Sequence, residues 1–207
     1  HPYPQDITAD PFIVFGGLFS RKVIASCLRS LSSSRPAVFT KIISLADTCA
    51  SELALQRGIE DALNAHAITC RKPAFGQSRC DRVLSDDYLV EIKLDTHKFD
   101  PQTWNGSEEG ESAVEQVRRY FDNSKFPWAV LTNGKVVRLM HREHKFNYID
   151  FWICDTDRQG ETKQASLLEA LLRDPSLAER LRQESQEERR RFNRAFEEKV
   201  QTFWNEN

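Results

Sequence analysis

The sequence lacks the marks of several protein classes. Its five cysteines are scattered, odd in number and without a CxxC pair, which argues against a disulfide framework or a zinc site and fits a reducing cytoplasm. No apolar run is long enough to span a membrane, and no signal peptide is visible. Basic and acidic residues nearly balance, at 29 and 31, so contact with nucleic acid must rely on a local cluster or on another chain. We therefore expect a cytoplasmic protein that does not enter a membrane.

The sequence does contain enough apolar material for one sizeable core. Of its 207 residues, 40 % are hydrophobic and 13 are phenylalanine. Apolar residues at three- and four-residue spacing predict helices, and alternating apolar residues predict strands. The predicted elements are a helical stretch over 11–30, a helix from about 36 to 66, strands over 68–72, 80–84 and 88–95, a helix from 112, a hairpin over 126–141, a strand over 148–154 and helices after 165.

Two of these elements carry a local signature. Ser112-Ala-Val-Glu115 is a capping box, which starts a helix, and Asn133-Gly134 between two β-rich runs predicts a type I′ turn. The order of elements indicates an α/β fold with a mixed central β-sheet flanked by helices and a C-terminal helical extension. We divide the chain into a partly helical N-terminal extension over 1–35, an α/β core over 36–155 and a helical connector or tail over 156–207.

The stretch over 80–95, CDRVLSDDYLVEIKLD, holds the residues that could do chemistry. A turn at 85–87 places Asp81 opposite Glu91 in a hairpin, on one face of the sheet. Lys93 follows Glu91 by two residues and therefore lies on that face too. Two carboxylates so close repel each other unless protonation, a nearby cation or a bound metal ion offsets the charge.

A bound metal ion would explain why Asp81, Glu91 and Lys93 lie together. Mg²⁺ binds through one or two carboxylates and keeps several waters, and the backbone carbonyl of Ile92 could be a third ligand. Lys93 could then position a metal-bound water or steady the charge of a phosphate, as metal-assisted phosphodiester hydrolysis requires. The alternative is a solvated ion-pair face. The Glu-x-Lys pattern recurs at Glu143/Lys145, Glu161/Lys163 and Glu197/Lys199.

A second candidate pair lies on the capped helix. Gln116 and Tyr120 are four residues apart and share one helix face, where the amide could hold a water or orient the lysine. The alternative is an ordinary amphipathic helix that turns Val114, Val117 and Phe121 inward.

Three segments in this order, DRVLSDDYLVEIKLD, AVEQVRRYF and WAVLTNGKVVRLM, make the chain resemble the PD-(D/E)xK nuclease superfamily. More narrowly, residues 50–150 are similar to the N-terminal nuclease domain of type I motor subunits and of fused restriction–modification enzymes. Those domains pair a strand aspartate with a Glu-x-Lys strand, followed by a Gln-x-x-x-Tyr helix and a hairpin. The resemblance implies a restriction-endonuclease-like fold.

The resemblance also implies roles for individual residues. Asp81 and Glu91 would bind the metal together with the Ile92 carbonyl, Lys93 would be the catalytic lysine, and Gln116 would be a supporting catalytic residue. Tyr120 would lie beside Gln116, and the turn over 132–134 would be mainly structural. Cys80 stands where the motif has its proline. Many members carry a further helical glutamate at the metal, and the sequence leaves Glu52, Gln56 and Glu60 open for that place.

The function implied by the resemblance is a DNA endonuclease that depends on Mg²⁺ or Mn²⁺. Such an enzyme would belong to a restriction–modification or other anti-phage defence system and would work with a methyltransferase or motor in further domains or subunits. RNA remains open as the substrate. An alternative from another class is a catalytically inactive nuclease-like module that binds nucleic acid or serves as a scaffold, which the near-neutral charge and Cys80 favour.

Two further surfaces follow from the sequence. A basic cluster with interleaved aromatic residues could form a rim that tracks phosphates, or simply a solvated hairpin face. Its basic members are Arg118, Arg119, Lys125, Lys135, Arg138, His141, Arg142, His144 and Lys145. Near the C-terminus, Phe192, Phe196, Val200 and Phe203 form one helical stripe that needs an apolar partner. That partner could be the same domain, a symmetry mate or a following domain.

Overall fold

The computed structural model describes residues 13–31, 36–74, 79–94, 112–153 and 161–206. Within these ranges, seven strands form one sheet: β1 (Ile13–Gly16), β2 (Cys70–Arg71), β3 (Arg82–Leu84), β4 (Tyr88–Ile92), β5 (Trp128–Thr132), β6 (Val136–His141) and β7 (His144–Trp152). Six helices accompany them: α1 (Arg21–Ser30), α2 (Ala37–Thr48), α3 (Glu52–Ala65), α4 (Ala113–Asp122), α5 (Glu161–Arg173) and α6 (Pro175–Glu206). The predicted α/β class and mixed sheet are confirmed.

The strand order across the sheet is β1-β7-β6-β5-β4-β3-β2. β4 and β5 pair in parallel, and the chain between them passes through α4. The other named neighbours pair antiparallel. The parallel pair at the centre therefore brings the C-terminal ends of β4 and β5 to one edge of the sheet, close to α4 and α3.

Helices cover both faces of the sheet, and the alternation of β4 separates two apolar clusters. Tyr88, Val90 and Ile92 belong to the larger cluster, which contains buried residues of α1, α2, α3, α5 and α6. Leu89 belongs to the smaller cluster, which α4 covers. Glu91 has the same parity as Leu89 and therefore points to the α4 face, as the alternation predicts.

The predicted helical stretch over 11–30 is wrong in its first part. The structure has strand β1 there, and α1 begins only after Ser20, whose hydroxyl accepts a hydrogen bond from the Val23 amide. Gly17, with φ +86°, separates the two elements. Pairing of β1 with β7 outweighs the helical spacing of the apolar residues.

The single helix predicted from about 36 to 66 is two helices, α2 and α3, that pack against each other. The break is at Cys49–Ser51, where the Ser51 hydroxyl accepts from the Ala54 amide and caps α3. Gly58 does not interrupt α3. It lies against α2, where a Cβ would come within 2.8 Å of Leu45 Cδ2. Leu53 of α3 belongs to the apolar spacing that predicted the single helix, but it is 51 % exposed.

The boundaries placed at residues 35 and 155 do not separate packing units. β1 forms an edge of the sheet beside β7. Ile24 of α1 and Leu168 of α5 lie in the same apolar cluster as β4. The polar segment HKFDPQTWNGSEEGES over 97–112, which the sequence predicts to be a loop, lies outside the described residues except for Ser112, as do the residues before 13.

The type I′ turn predicted at Asn133-Gly134 is wrong, because only Gly134 has a positive φ there. The Asn133 Oδ1 atom instead accepts from the amides of Lys135 and Val136, so this side chain closes the loop. Two consecutive positive φ values, 50° and 61°, occur at Ser85 and Asp86 in the β3–β4 hairpin. Two consecutive positive φ values, which we expected in the β5–β6 hairpin, therefore occur in the β3–β4 hairpin instead.

Replacing Gly134 should destabilise the protein more than replacing Gly17. Both have φ above +80°, which costs an alanine about 1–2 kcal/mol. At Gly134 a Cβ would also meet the Ala46 Cβ of α2 at 2.6 Å, whereas at Gly17 its nearest contact is an ordinary 3.5 Å. We expect urea unfolding to give Gly134→Ala a loss about 1–3 kcal/mol larger than Gly17→Ala. Equal losses would show that the α2 contact is unimportant.

Candidate active site

The β3–β4 hairpin brings Asp81 and Glu91 together. The pairing of Arg82 with Val90 makes Asp81 and Glu91 the next opposed pair at the end of the hairpin. The Ile92 amide donates a 2.7 Å hydrogen bond to Asp81 Oδ2. Because this bond fixes one oxygen of the aspartate to β4, the carboxyl group is held beside Glu91 instead of extending into solvent.

Lys93 closes the group. Its Nζ atom lies 2.7 Å from Glu91 Oε1, and the two side chains are only 14 % and 4 % exposed. The Lys93 amide also donates to the Thr132 carbonyl at 2.9 Å, which ties the end of β4 to the end of β5. The backbone of the predicted structural turn at 132–134 thus holds the lysine in place.

Of the three helical candidates left open by the sequence, Glu52 reaches this group. Its Oε1 atom lies 3.9 Å from Lys93 Nζ, and its side chain is 34 % exposed, so it marks the solvent side of the site. Gln56 donates to Glu52 at 3.5 Å. Glu60 is engaged elsewhere: it binds the guanidinium of the buried Arg82.

The pKa values of three side chains at the site, Asp81, Glu91 and Lys93, are all raised. Burial, followed by repulsion from Asp81, raises the pKa of Glu91 to about 7. Burial likewise raises the pKa of Asp81, against the lowering effect of the Ile92 amide and Lys93. Burial disfavours the Lys93 ammonium, but the hydrogen bond and charge of Glu91 outweigh it and raise the lysine pKa. Three carboxyl groups, those of Asp81, Glu91 and Glu52, thus share one ammonium group, that of Lys93.

Two buried side-chain oxygens on the α4 side of the sheet lack a hydrogen-bond donor among the described residues: Glu91 Oε2, at the site, and Gln116 Oε1, on α4. Gln116 extends from α4, the helix that covers this face. The capping box predicted at the start of α4 is formed, with Ser112 and Glu115 hydrogen-bonded to each other. Tyr120, one helical turn on, is 9 % exposed, and burial followed by the charge of Glu91 raises its pKa to about 12. An unpaired buried oxygen costs about 1–3 kcal/mol, so both positions call for a cation or a water.

The donor set is of the kind that Mg²⁺ prefers, because carboxylate, amide and backbone oxygens are all hard ligands. Asp81, Glu91 and the Ile92 carbonyl remain the predicted ligands, and Glu52 could be added through a water. Within the described ranges no three His, Cys, Asp or Glu side chains converge closely enough to hold a metal by themselves. An ion held by Asp81 and Glu91 would have to take most of its remaining ligands from water, as Mg²⁺ commonly does.

Several members of the predicted phosphate-tracking rim are engaged within the domain, whereas Arg119 and Lys125 are exposed. Arg138 is 3 % exposed, and its Nε donates to Asp150 Oδ1 at 2.7 Å. Arg142 donates to the carbonyls of Phe121 and Ser124. Lys135 forms an ion pair with Asp47, and Lys145 forms one with Asp122. Trp128 and His141 are buried and pack against each other.

No family model, curated protein or solved structure matches this chain. No helix among the described residues is both long and apolar enough to cross a membrane.

Glu91 should contribute a loss of stability as the pH rises from about 4.5 to 7. Because its pKa is raised from 4.5 to about 7, this carboxyl binds more protons in the native state than in the unfolded chain, which amounts to on the order of 3 kcal/mol. His141 contributes a change of opposite sign, because burial lowers its pKa from 6.5 to about 4. Urea unfolding in EDTA at pH 5 and pH 8 would measure the net change. The difference between the wild type and Glu91→Gln isolates the Glu91 contribution: between pH 5 and pH 8 the stability of the variant should change by about 3 kcal/mol in the favourable direction relative to the wild type, while the exposed control Glu197→Gln should follow the wild type. An equal slope in both variants would contradict the assignment.

Proposed function

We propose that this chain is a metal-dependent DNA endonuclease domain of the PD-(D/E)xK type, using Mg²⁺ or Mn²⁺. We further propose that it belongs to a restriction–modification or other anti-phage defence protein, with a methyltransferase or motor as further domain or subunit. The single observation that carries the proposal is the grouping of two carboxyl groups and one ammonium at the end of the β3–β4 hairpin. The Ile92 amide fixes Asp81 beside Glu91, Glu91 Oε1 binds the Lys93 ammonium, and Glu91 Oε2 is buried without a hydrogen-bond donor among the described residues.

Each residue has a task that its contacts support. Asp81, fixed by the Ile92 amide, and Glu91 offer carboxylate oxygens on one face of the sheet. Lys93, held at 2.7 Å by Glu91, presents a buried ammonium that can bind a phosphate oxygen. Gln116 offers an amide oxygen that can accept a hydrogen bond from a water. When bound, the metal ion would act as a Lewis acid and make a water nucleophilic at neutral pH.

One observation favours the alternative, a catalytically inactive module that binds nucleic acid or serves as a scaffold. The short Lys93–Glu91 bond partly neutralises the site without any metal. In that case the two carboxylates would be a structural feature of the sheet end, and nucleic acid would be held without hydrolysis. Metal binding and cleavage separate the two readings, because the inactive module needs neither.

Substitution of Lys93 should abolish cleavage while leaving the fold intact. We expect Lys93→Ala and Asp81→Ala to reduce the rate on plasmid DNA by at least about 10²–10⁴-fold, since each removes a group that acts on the reacting phosphate or its metal. The matched control is Lys145→Ala, from the Glu-x-Lys copy on β7, which should keep full activity. Circular dichroism checks the fold. Full activity of folded Lys93→Ala would refute the proposed nuclease activity at this site. Parallel assays on RNA would show which nucleic acid is cut.

Magnesium should stabilise the wild-type protein at pH 8. A site with a dissociation constant of about 1 mM gains about 1.4 kcal/mol at 10 mM Mg²⁺, which is roughly 3–5 °C in Tm for a domain of this size. Asp81→Asn and Glu91→Gln should lose this gain, and Ca²⁺ and Mn²⁺ can be compared in the same assay. Equal Tm values with Mg²⁺ and with EDTA, together with no cleavage of any DNA form, would support the inactive module.

A further inference from the structure

The C-terminal half of α6 carries an apolar stripe that no described part of the chain covers. Phe192, Phe196 and Phe203 are 69 %, 60 % and 61 % exposed, and the neighbouring Trp204 is 73 % exposed. This half of the helix, over residues 190–206, is about 25 Å long at 1.5 Å per residue, and Phe192 at its start borders a groove beside Lys22 and Val23 of α1. Of the three partners that the sequence leaves open for the stripe, the described part of the same domain is therefore removed.

The stripe continues the face with which α6 packs on its own domain. Ala178, Leu181 and Ser185 are buried, and the Ser185 hydroxyl accepts from the Ser20 amide at 2.9 Å. Arg189, four residues further, donates to the Gly17 carbonyl. The same three- and four-residue spacing then runs through the exposed stripe, from Phe192 to Phe203. The first half of α6 thus fixes the direction in which the stripe faces.

We propose that this stripe binds the same stripe of a second copy of the chain, with the two helices antiparallel. A parallel pair is excluded, because the second helix would occupy the space that the domain already fills along the first half of α6. An antiparallel pair overlaps only the exposed halves and leaves the two domains at opposite ends. A two-fold axis near residue 198 brings Phe192 level with Phe203 of the partner subunit and Phe196 level with Val200 of the partner subunit.

The charges along the exposed half agree with this orientation. Arg190, Arg191 and Arg194 make its beginning basic. The remainder, over 195–206, has three glutamates and one lysine and is net acidic. Antiparallel overlap about residue 198 sets Arg190, Arg191 and Arg194 of each helix along 202–206 of the other, which contains Glu206, and brings Glu197 level with Lys199 of the partner subunit. Parallel overlap would bring like charges together. Such two-fold, self-complementary contacts are the commonest form of homodimer.

The size of the surface indicates a concentration-dependent dimer. Four aromatic side chains that are 60–73 % exposed present on the order of 400–600 Å² per chain, below the roughly 800 Å² per partner of a standard interface. Flanking residues of the helix supply part of the difference. We therefore expect association in the micromolar range instead of a permanent dimer.

Sedimentation equilibrium of the 207-residue chain from 1 to 200 μM tests the proposal. The mass should rise from monomer to dimer, and Phe196→Glu should weaken the association at least tenfold without changing the midpoint of urea unfolding at 1 μM. The matched control is Phe146→Glu, because Phe146 is 75 % exposed on β7, outside the stripe. A wild-type chain that stays monomeric at 200 μM, or a dimer indifferent to Phe196→Glu, overturns the proposal.

A mixture of two variants tests the orientation. Phe192→Glu and Phe203→Lys should each associate at least tenfold more weakly than the wild type. Mixed together they should recover part of this loss, because the antiparallel pair sets the introduced glutamate against the introduced lysine and keeps the other Phe192–Phe203 layer intact. A mixture that associates no better than either variant overturns the antiparallel arrangement.

Discussion

The hairpin register of β3 and β4 is the constraint on which the candidate site depends. Positive φ at Ser85 and Asp86 and the pairing of Leu84 with Tyr88 fix that register. A slip of one residue would move every β4 side chain to the other face of the sheet. Glu91 and Lys93 would then both turn toward the apolar cluster on the far side, and Glu91 would lose its place opposite Asp81 on the α4 face.

This register creates an electrostatic imbalance that the protein does not remove by itself. Asp81, Glu91 and Glu52 surround one ammonium group, that of Lys93. Burial makes the imbalance costly, as the raised pKa of Glu91 indicates. A protein can keep such an unfavourable arrangement at a binding site. A divalent cation that binds there neutralises the carboxylates, and its binding free energy then stabilises the folded state.

Sequence patterns predicted most of this arrangement but not its surroundings. Alternation in β4 and the capping box of α4 are local, so the face of Glu91 and the start of α4 could be read directly. The break at Ser51, the strand before Gly17 and the engagement of Arg138 with Asp150 depend on contacts between segments far apart in sequence. Glu52 could be separated from Glu60 only once the buried Arg82 was seen to bind the latter.

A crystal grown with Mn²⁺ at pH 8 would test the central claim most directly. We expect an anomalous density peak within about 2.0–2.4 Å of carboxylate oxygens from both Asp81 and Glu91, with waters completing the shell. The result that contradicts it is a well-ordered site in which these two carboxylates hold only Lys93 and water, with manganese bound elsewhere or not at all.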